Sequence, residues 1–470
     1  MRRKLFSIIA AAALAAGAHT QAQTPPPAVL SLEDCERMGG AAGPEVRKAE
    51  LDVSSAKYQR REALWHYFPT VQFSSMGFYA MNPLIDITYR EVIGGFEHSE
   101  RIYPILESGA ERIGLSTKYQ AMQWGWGATA MATQPIFAGG RIVTANELAK
   151  LGVSAAEEKL AVERRQSSSE TGTKFWKVAG LLEKQSALKD AIAAVESLEK
   201  DLESASGAGL VSSRELESIR GRLSLLRSQQ ARLRSGIRLA KMDLFNYIGY
   251  PYTPYSSMAS DSLRYIDDIG IEYSFDGLRE PSEYYVPEEE AVALMSESRL
   301  LDFQVRAAEL EKRMDIGAAL PEIGVGGLYG YAQYVGEPRF NGAVFASVKI
   351  PLTAWGPAVR QIERRNNEIR KARIDRDYLR EQLTLKLRLL WMELQAAWDE
   401  MGVAEENLNI AAGSYSDLEA SFGAGLAGAS DLTQSRLSLR EAENALTDAR
   451  IAYREAVAAY LLMANKTEIF

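Results

Sequence analysis

The sequence predicts an α+β chain built from two structural repeats, each combining long antiparallel helices with two strands. One observation is repetition. Pro135-Ile136-Phe137-Ala138-Gly139-Gly140 and Pro351-Leu352-Thr353-Ala354-Trp355-Gly356 lie 216 positions apart, and Gly207-Ala208-Gly209-Leu210 recurs as Gly423-Ala424-Gly425-Leu426 at the same offset. Distant landmarks that keep their spacing without a gap mark a duplicated unit. A second observation is that proline is absent from Ile136 to Tyr250 and from Ala358 to the C-terminus. Uninterrupted helix is therefore permitted in both stretches. The third is a change of period: Met122, Trp124, Trp126, Ala128 and Ala130 alternate with Gln123, Gly125 and Thr129. Phe340, Val344, Ala346, Val348 and Ile350 do the same against Asn341, Ser347 and Lys349, with Phe345 as an exception. Alternation of this kind belongs to strands.

The elements follow in order. Arg2, Arg3 and Lys4, the apolar run Leu5 to Ala16 and Thr20-Gln21-Ala22 form a secretory signal peptide, residues 1–22, with cleavage expected after Ala22. The run is too short to span a bilayer. The single cysteine, Cys35, permits no intrachain disulfide and no multi-thiolate metal site, and reads as a small packed residue. Loss of the three leader cations takes the net charge from −8 to −11. Nothing favours nucleic acid as a partner.

The first repeat, 23–249, opens with a helical segment from Ser31 to Trp65, broken near Pro44. A strand starts at Pro69, a long loop runs from Asn82 to Ser116, and a long helix from Arg141 to about Ser204 returns as a shorter one from Ser212 to Tyr247. At 1.5 Å per residue these two helices measure roughly 95 and 55 Å, so the opening segment must stack on the shorter one to match the longer. A linker, 250–286, is broken by Pro251, Pro254 and Pro281 and should wrap the helices. The second repeat, 287–470, has helices from Pro287 to Asp315, Pro357 to Glu419 and Ser430 to Ala464, and Val46 to Leu51 recurs as Val305 to Leu310. Apolar and small residues at 3–4 spacing predict a seam at Leu188, Ile192, Val195, Leu198 and Leu202, and another at Leu439, Ala442, Leu446, Ala449, Tyr453, Ala456 and Tyr460.

After the leader no apolar run of eighteen residues occurs, so any crossing of a membrane must use strands. A sheet with one apolar and one polar face suits a barrel wall, although soluble hairpins packed on a core would alternate in the same way. Four strands cannot close, because membrane barrels begin at about eight. Several chains would then share one barrel, with the long loop outward and the short turn Val335 to Pro338 in the second repeat.

In these features the chain resembles the TolC-type outer-membrane efflux protein family. The resemblance rests on Leu30-Ser31-Leu32-Glu33, the strand start at Pro69, the junction Gln134 to Arg141 and the two Gly-Ala-Gly-Leu turns, and it covers the whole mature chain. It implies a homotrimer with a twelve-stranded outer-membrane β-barrel continued by a coiled-coil α-helical barrel in the periplasm. It also implies that Gly207, Ala208, Gly209, Leu210, Gly423, Ala424, Gly425 and Leu426 form a periplasmic tip where an adaptor, coupled to an inner-membrane pump, docks. Acidic residues lining the aperture would be Glu215 and Asp431, with Gln434 where a second family aspartate stands. The family often carries a lipidated N-terminal cysteine and valine between the tip glycines, and this chain departs from both. The expected function is a passive channel for small molecules in a tripartite efflux system. Alternatives are the exit duct of a type I protein secretion system and, from another class, a soluble periplasmic coiled-coil scaffold.

No catalytic constellation is expected. The mature chain keeps two histidines, His66 and His98, and His98 has only Glu97 and Glu100 nearby, which is no metal-ligand set. Gly109 to Ser116 mimics a phosphate loop but carries Leu115 in place of the lysine, so it reads as a loop. Gly324-Val325-Gly326-Gly327 lies within a predicted strand, where close packing is the expected role. Glu163, Glu196 and Glu203 beside Arg164, Arg165 and Lys200 read as a solvated helix face. Neither a cofactor nor a metal is predicted.

Overall fold

The structure is a computed structural model that describes residues 29–88, 91, 99–114, 118–207, 212–260, 263–333 and 339–466. The leader with its cleavage point, Ala208, Gly209, Leu210, His98, Leu115 and the turn at 335–338 lie outside the described residues. The chain forms two compact units, each drawing on both repeats.

One unit contains the residues up to Val53, Ala156–Leu301 and those from Arg376 onward. Its helices arise where the sequence places them. Ser31 caps Leu32–Ala42 by accepting from the Asp34 amide at 3.2 Å, and Pro44 opens Pro44–Trp65. Proline suits a first helical turn, where its missing N–H has no helical partner. The long helix Arg141–Gly207 returns as Ser213–Ile248, and Trp355–Gly423 returns as Ala429–Met463. Leu188, Ile192, Val195, Leu198 and Leu202 are buried against Leu216, Ile219, Leu223 and Leu226, as the first predicted seam requires. Leu446, Ala449, Tyr453 and Tyr460 pack with Leu387, Leu394 and Met401. One expectation fails here: Pro287 to Asp315 is two helices, Glu288–Leu294 and Ser296–Ala318, separated by Met295 in extended conformation.

The linker is fastened through its backbone. Lys241, almost fully buried, donates to the Ile269 carbonyl at 2.6 Å and to that of Ile266 at 3.4 Å. Tyr453 donates to the Arg279 carbonyl at 2.5 Å, Arg454 to those of Ser274 and Asp276, and the Val286 amide donates to Tyr460. The Arg454 guanidinium also lies 4.3 Å from the Trp176 ring centroid, a cation–π contact. Val29–Leu30 pairs in parallel with Gly270–Ile271 of the linker.

The other unit contains Ser54–Ala155 and Asp302–Asp375. Its antiparallel sheet runs Arg339–Lys349, Glu322–Gln333, Trp124–Ala138, Thr70–Tyr79. Met122 is not in the strand as the alternation predicts. It adopts a left-handed backbone (φ 61), so pairing starts at Trp124. The long loop carries a second ladder, Ile85–Thr88 with Lys118–Ala121, and a helix, Ser99–Arg112. The Gly109 stretch read as a loop therefore ends a helix at Arg112, followed by a turn at Ile113 and Gly114.

The junction motif also resolves differently in its two copies. Gly139 and Gly140 both take positive φ, and a β-carbon on Gly139 would overlap the Gly317 backbone. Only glycine fits there. In the second copy the helix begins at Trp355, whose indole donates to the Ala319 carbonyl at 2.9 Å. Arg141 of the first junction pairs with Glu322, which opens the first strand of the second repeat.

Candidate functional site

Strand register sorts the sheet into two faces. Phe73, Ala130, Tyr329 and Gly342 lie side by side, as do Val71, Ala132, Gly327 and Val344. Because side chains alternate, Tyr79, Trp124, Trp126, Tyr331, Phe340 and Val348 share that face. Gln72, Ser74, Thr129, Thr133, Asn341, Ser347 and Lys349 share the other, together with Met76, Phe78, Met131, Leu328 and Phe345, so that face is mixed rather than purely polar. Near the hairpin end the apolar face carries an aromatic row: Trp126 to Tyr331 at 5.0 Å, Tyr331 to Phe340 at 5.1 Å and Phe340 to Tyr329 at 5.8 Å. Val71, Phe73, Tyr79, Tyr329, Phe340, Val344 and Val348 are all exposed. Phe345, the exception to the alternation, lies over Gly326, where a β-carbon would run into its ring. The glycine-rich stretch thus serves close packing. Among the described residues neither edge strand, Thr70–Tyr79 nor Arg339–Lys349, has a partner on its outer side.

The helix turns make a second site. Trp355–Gly423 closes with Gly425 in left-handed conformation (φ 74); the Leu426 amide donates to the Ser421 carbonyl and the Gly425 amide to that of Phe422. This is a Schellman closure. It leaves Leu426 84% exposed beside an exposed Ala424. The matching turn is described only at Gly207, which ends its helix.

The return helices start side by side. Ser212 caps its own helix by accepting from the Glu215 amide. Glu215 Oε1 in turn accepts from the Ala429 amide at 3.3 Å, supplying the cap that Gly428 cannot. Asp431, in the first turn of Ala429–Met463, stays exposed. A β-carbon at Gly428 would lie 3.4 Å from Asp431 Oδ2 and 4.0 Å from Glu215 Oε1, so both carboxylates flank it. Arg222 donates to Ser430 Oγ at 3.1 Å and to Gln434 Oε1 at 3.5 Å, bridging the helices one turn further on. The sequence singled out Glu215, Asp431 and Gln434 but not Arg222, whose role depends on a helix far away in the chain.

Sequence reasoning also missed a second apolar stripe on Trp355–Gly423. Tyr378, Leu385, Leu389, Met392, Val403 and Ile410 are 52–64% exposed, while Leu387, Leu394 and Met401 on the opposite side are buried. Their spacings of three, four, seven and eleven make a coiled-coil seam that is left without a partner among the described residues. No helix among the described residues is long and apolar enough to cross a membrane.

No protein-family model and no curated protein sequence matches the chain. Solved structures do. The outer membrane protein VceC of Vibrio cholerae aligns with TM-score 0.66 and 14% identity over 93% of this chain and 97% of that one. The Campylobacter jejuni CmeC outer membrane channel aligns at 0.66 and 13%, over 92% and 85%. The Neisseria gonorrhoeae MtrE outer membrane channel, in its open state, aligns at 0.66 and 12%, over 93% and 89%. At such identities the likeness establishes the fold.

Proposed function

We propose that this chain, which has the fold of the TolC-type outer-membrane channels, is itself an outer-membrane exit duct of a tripartite efflux system, assembled as a homotrimer. The observation that carries this is the sheet, with an exposed aliphatic and aromatic face, an opposite face that holds most of its polar residues, and two edges unpaired among the described residues. In lipid every strand edge must find a partner, because an unsatisfied backbone group costs several kcal/mol. Joining Thr70–Tyr79 of one copy to Arg339–Lys349 of the next closes a twelve-stranded wall from three copies. Its apolar face meets outer-membrane lipid and the opposite face lines water. The unpartnered stripe Tyr378 to Ile410 supports the same assembly, since a neighbouring copy would bury it.

The conduit is passive, and an inner-membrane pump supplies the driving force. A periplasmic adaptor docks on the tip turns, with Leu210 and Leu426, each following the second glycine of its turn, as apolar knobs. Asp431 lines the aperture, whereas Glu215 is engaged as a helix cap and Gln434 is held by Arg222. Residues 1–22 act as the export signal. Fractionation of cells expressing the chain, followed by conductance of the purified protein in planar bilayers, tests this reading. The expected result is a detergent-extracted trimer from the outer membrane that forms water-filled channels. Release by osmotic shock as a non-conducting protein would overturn it.

A further inference from the structure

The long loop leaves the sheet from its free edge strand, Thr70–Tyr79, and continues as the ladder Ile85–Thr88 with Lys118–Ala121. The helix Ser99–Arg112 is carried between them. It is amphipathic in an unexpected sense. Ile102, Ile105, Leu106 and Ile113 follow one stripe, with Gly109 between them, and they are exposed, Ile105 at 71% and Ile113 at 70%. The half-buried positions are Tyr103, Glu107 and Ala110 on the other side. The helix thus presents three turns of aliphatic surface to solvent, while Tyr103, Glu107 and Ala110 are partly covered.

Resting on the shared barrel proposed above, we infer that this stripe docks against the same loop region of a neighbouring copy, clasping adjacent subunits outside the barrel wall. Continuity is the main support: the loop springs from the strand whose open edge must meet the next copy, so it overhangs that junction. Charge argues against lipid as the occupant. The helix carries Glu100, Glu107 and Glu111 against Arg101 and Arg112 and has no lysine. A helix lying on an anionic membrane surface needs a cationic polar face. Gly109 has open space around its α-carbon, which lets a second backbone approach closely.

Single cysteines test this in the full-length protein. Ile105→Cys lies on the stripe and Glu111→Cys on the opposite side of the helix. Native Cys35 does not interfere, being fully buried with its thiol pushed up to about 12 by burial and by Asp34 and Glu36. In the detergent-solubilised trimer Ile105→Cys should react much more slowly with a polar maleimide than Glu111→Cys, and both should react fast once the protein is denatured. Light scattering of the same detergent samples separates the outcomes. No trimer in either sample means the shared barrel fails. Intact trimers in which Ile105→Cys reacts as fast as Glu111→Cys overturn the clasp alone. Quenching of a bimane label at Ile105→Cys by brominated lipid would place the stripe on the bilayer and would also overturn it.

Discussion

The stripe on Trp355–Gly423 gives the sharpest test of assembly. Leu389 and Met392 are 53% and 64% exposed, so about half of each side chain remains to be covered by a neighbour. Full burial of such a side chain is worth about 1.5–3 kcal/mol, which leaves ~1 kcal/mol per residue at each interface. Truncating both to alanine should weaken each interface by ~2 kcal/mol, and a closed trimer has three. Replacing both with aspartate adds the cost of burying carboxylates without partners, at least 1–3 kcal/mol each. Leu389→Asp with Met392→Asp should therefore abolish the detergent-stable trimer, and the double alanine variant should lower its dissociation temperature. Gln395→Ala, on the flank of the helix, should leave it unchanged. The readout is light-scattering mass against temperature. A double aspartate variant with a wild-type trimer would refute the interface, and with it the reason offered for this apolar surface.

Other predictions address the tip, the wall and pH. Leu210→Asp combined with Leu426→Asp should abolish efflux while trimers still reach the outer membrane; wild-type drug tolerance would count against adaptor docking there. Asp431→Ala should change single-channel conductance or its block by divalent cations, and identical traces would remove Asp431 from the aperture. Gly326→Val should destabilise the sheet by about 1–3 kcal/mol because the new side chain meets the Phe345 ring, and Phe345→Ala should restore trimer yield only in part, since the β-carbon also lies 2.9 Å from the Ala132 carbonyl oxygen. Glu36 is raised to about 7 by burial and by Glu33. An acid raised in the folded state stabilises it at low pH and loses that contribution as pH rises through about 7. Glu36→Gln should therefore flatten the fall in urea midpoint between pH 5.5 and 8 and be the more stable form at pH 8.

What the sequence made legible was periodic and local. The seam at Leu188 to Leu202, the sheet's two faces and the break at Pro44 follow from repeating patterns or from proline chemistry, and the structure places them so. The break at Met295 has no such mark, since neither glycine nor proline stands there. Trp355–Gly423 has apolar residues on two opposite sides, so periodicity alone could not tell which side stays inside the chain. Glu215 looked like an acid placed for its own helix dipole, but its carboxylate serves the amide of Ala429, on a helix of the other repeat. Nothing near Glu215 in sequence encodes that partner. The helix Ser99–Arg112 was hidden by Pro104 and by glycine within a stretch of mixed charge.

The linker's fastening has a consequence for how its path is specified. Lys241, Tyr453, Arg454 and Tyr460 grip main-chain carbonyls and an amide at Ile266, Ile269, Ser274, Asp276, Arg279 and Val286. Every residue type offers a carbonyl, and every type but proline an amide. The route is therefore written largely in the helices the linker crosses. At Ser274, Asp276 and Arg279, which are exposed, the linker's own side chains are comparatively free to change. Ile266, Ile269 and Val286 are also buried in the core, so a foreign segment grafted between Pro254 and Pro281 follows the same track only if it keeps the two isoleucines.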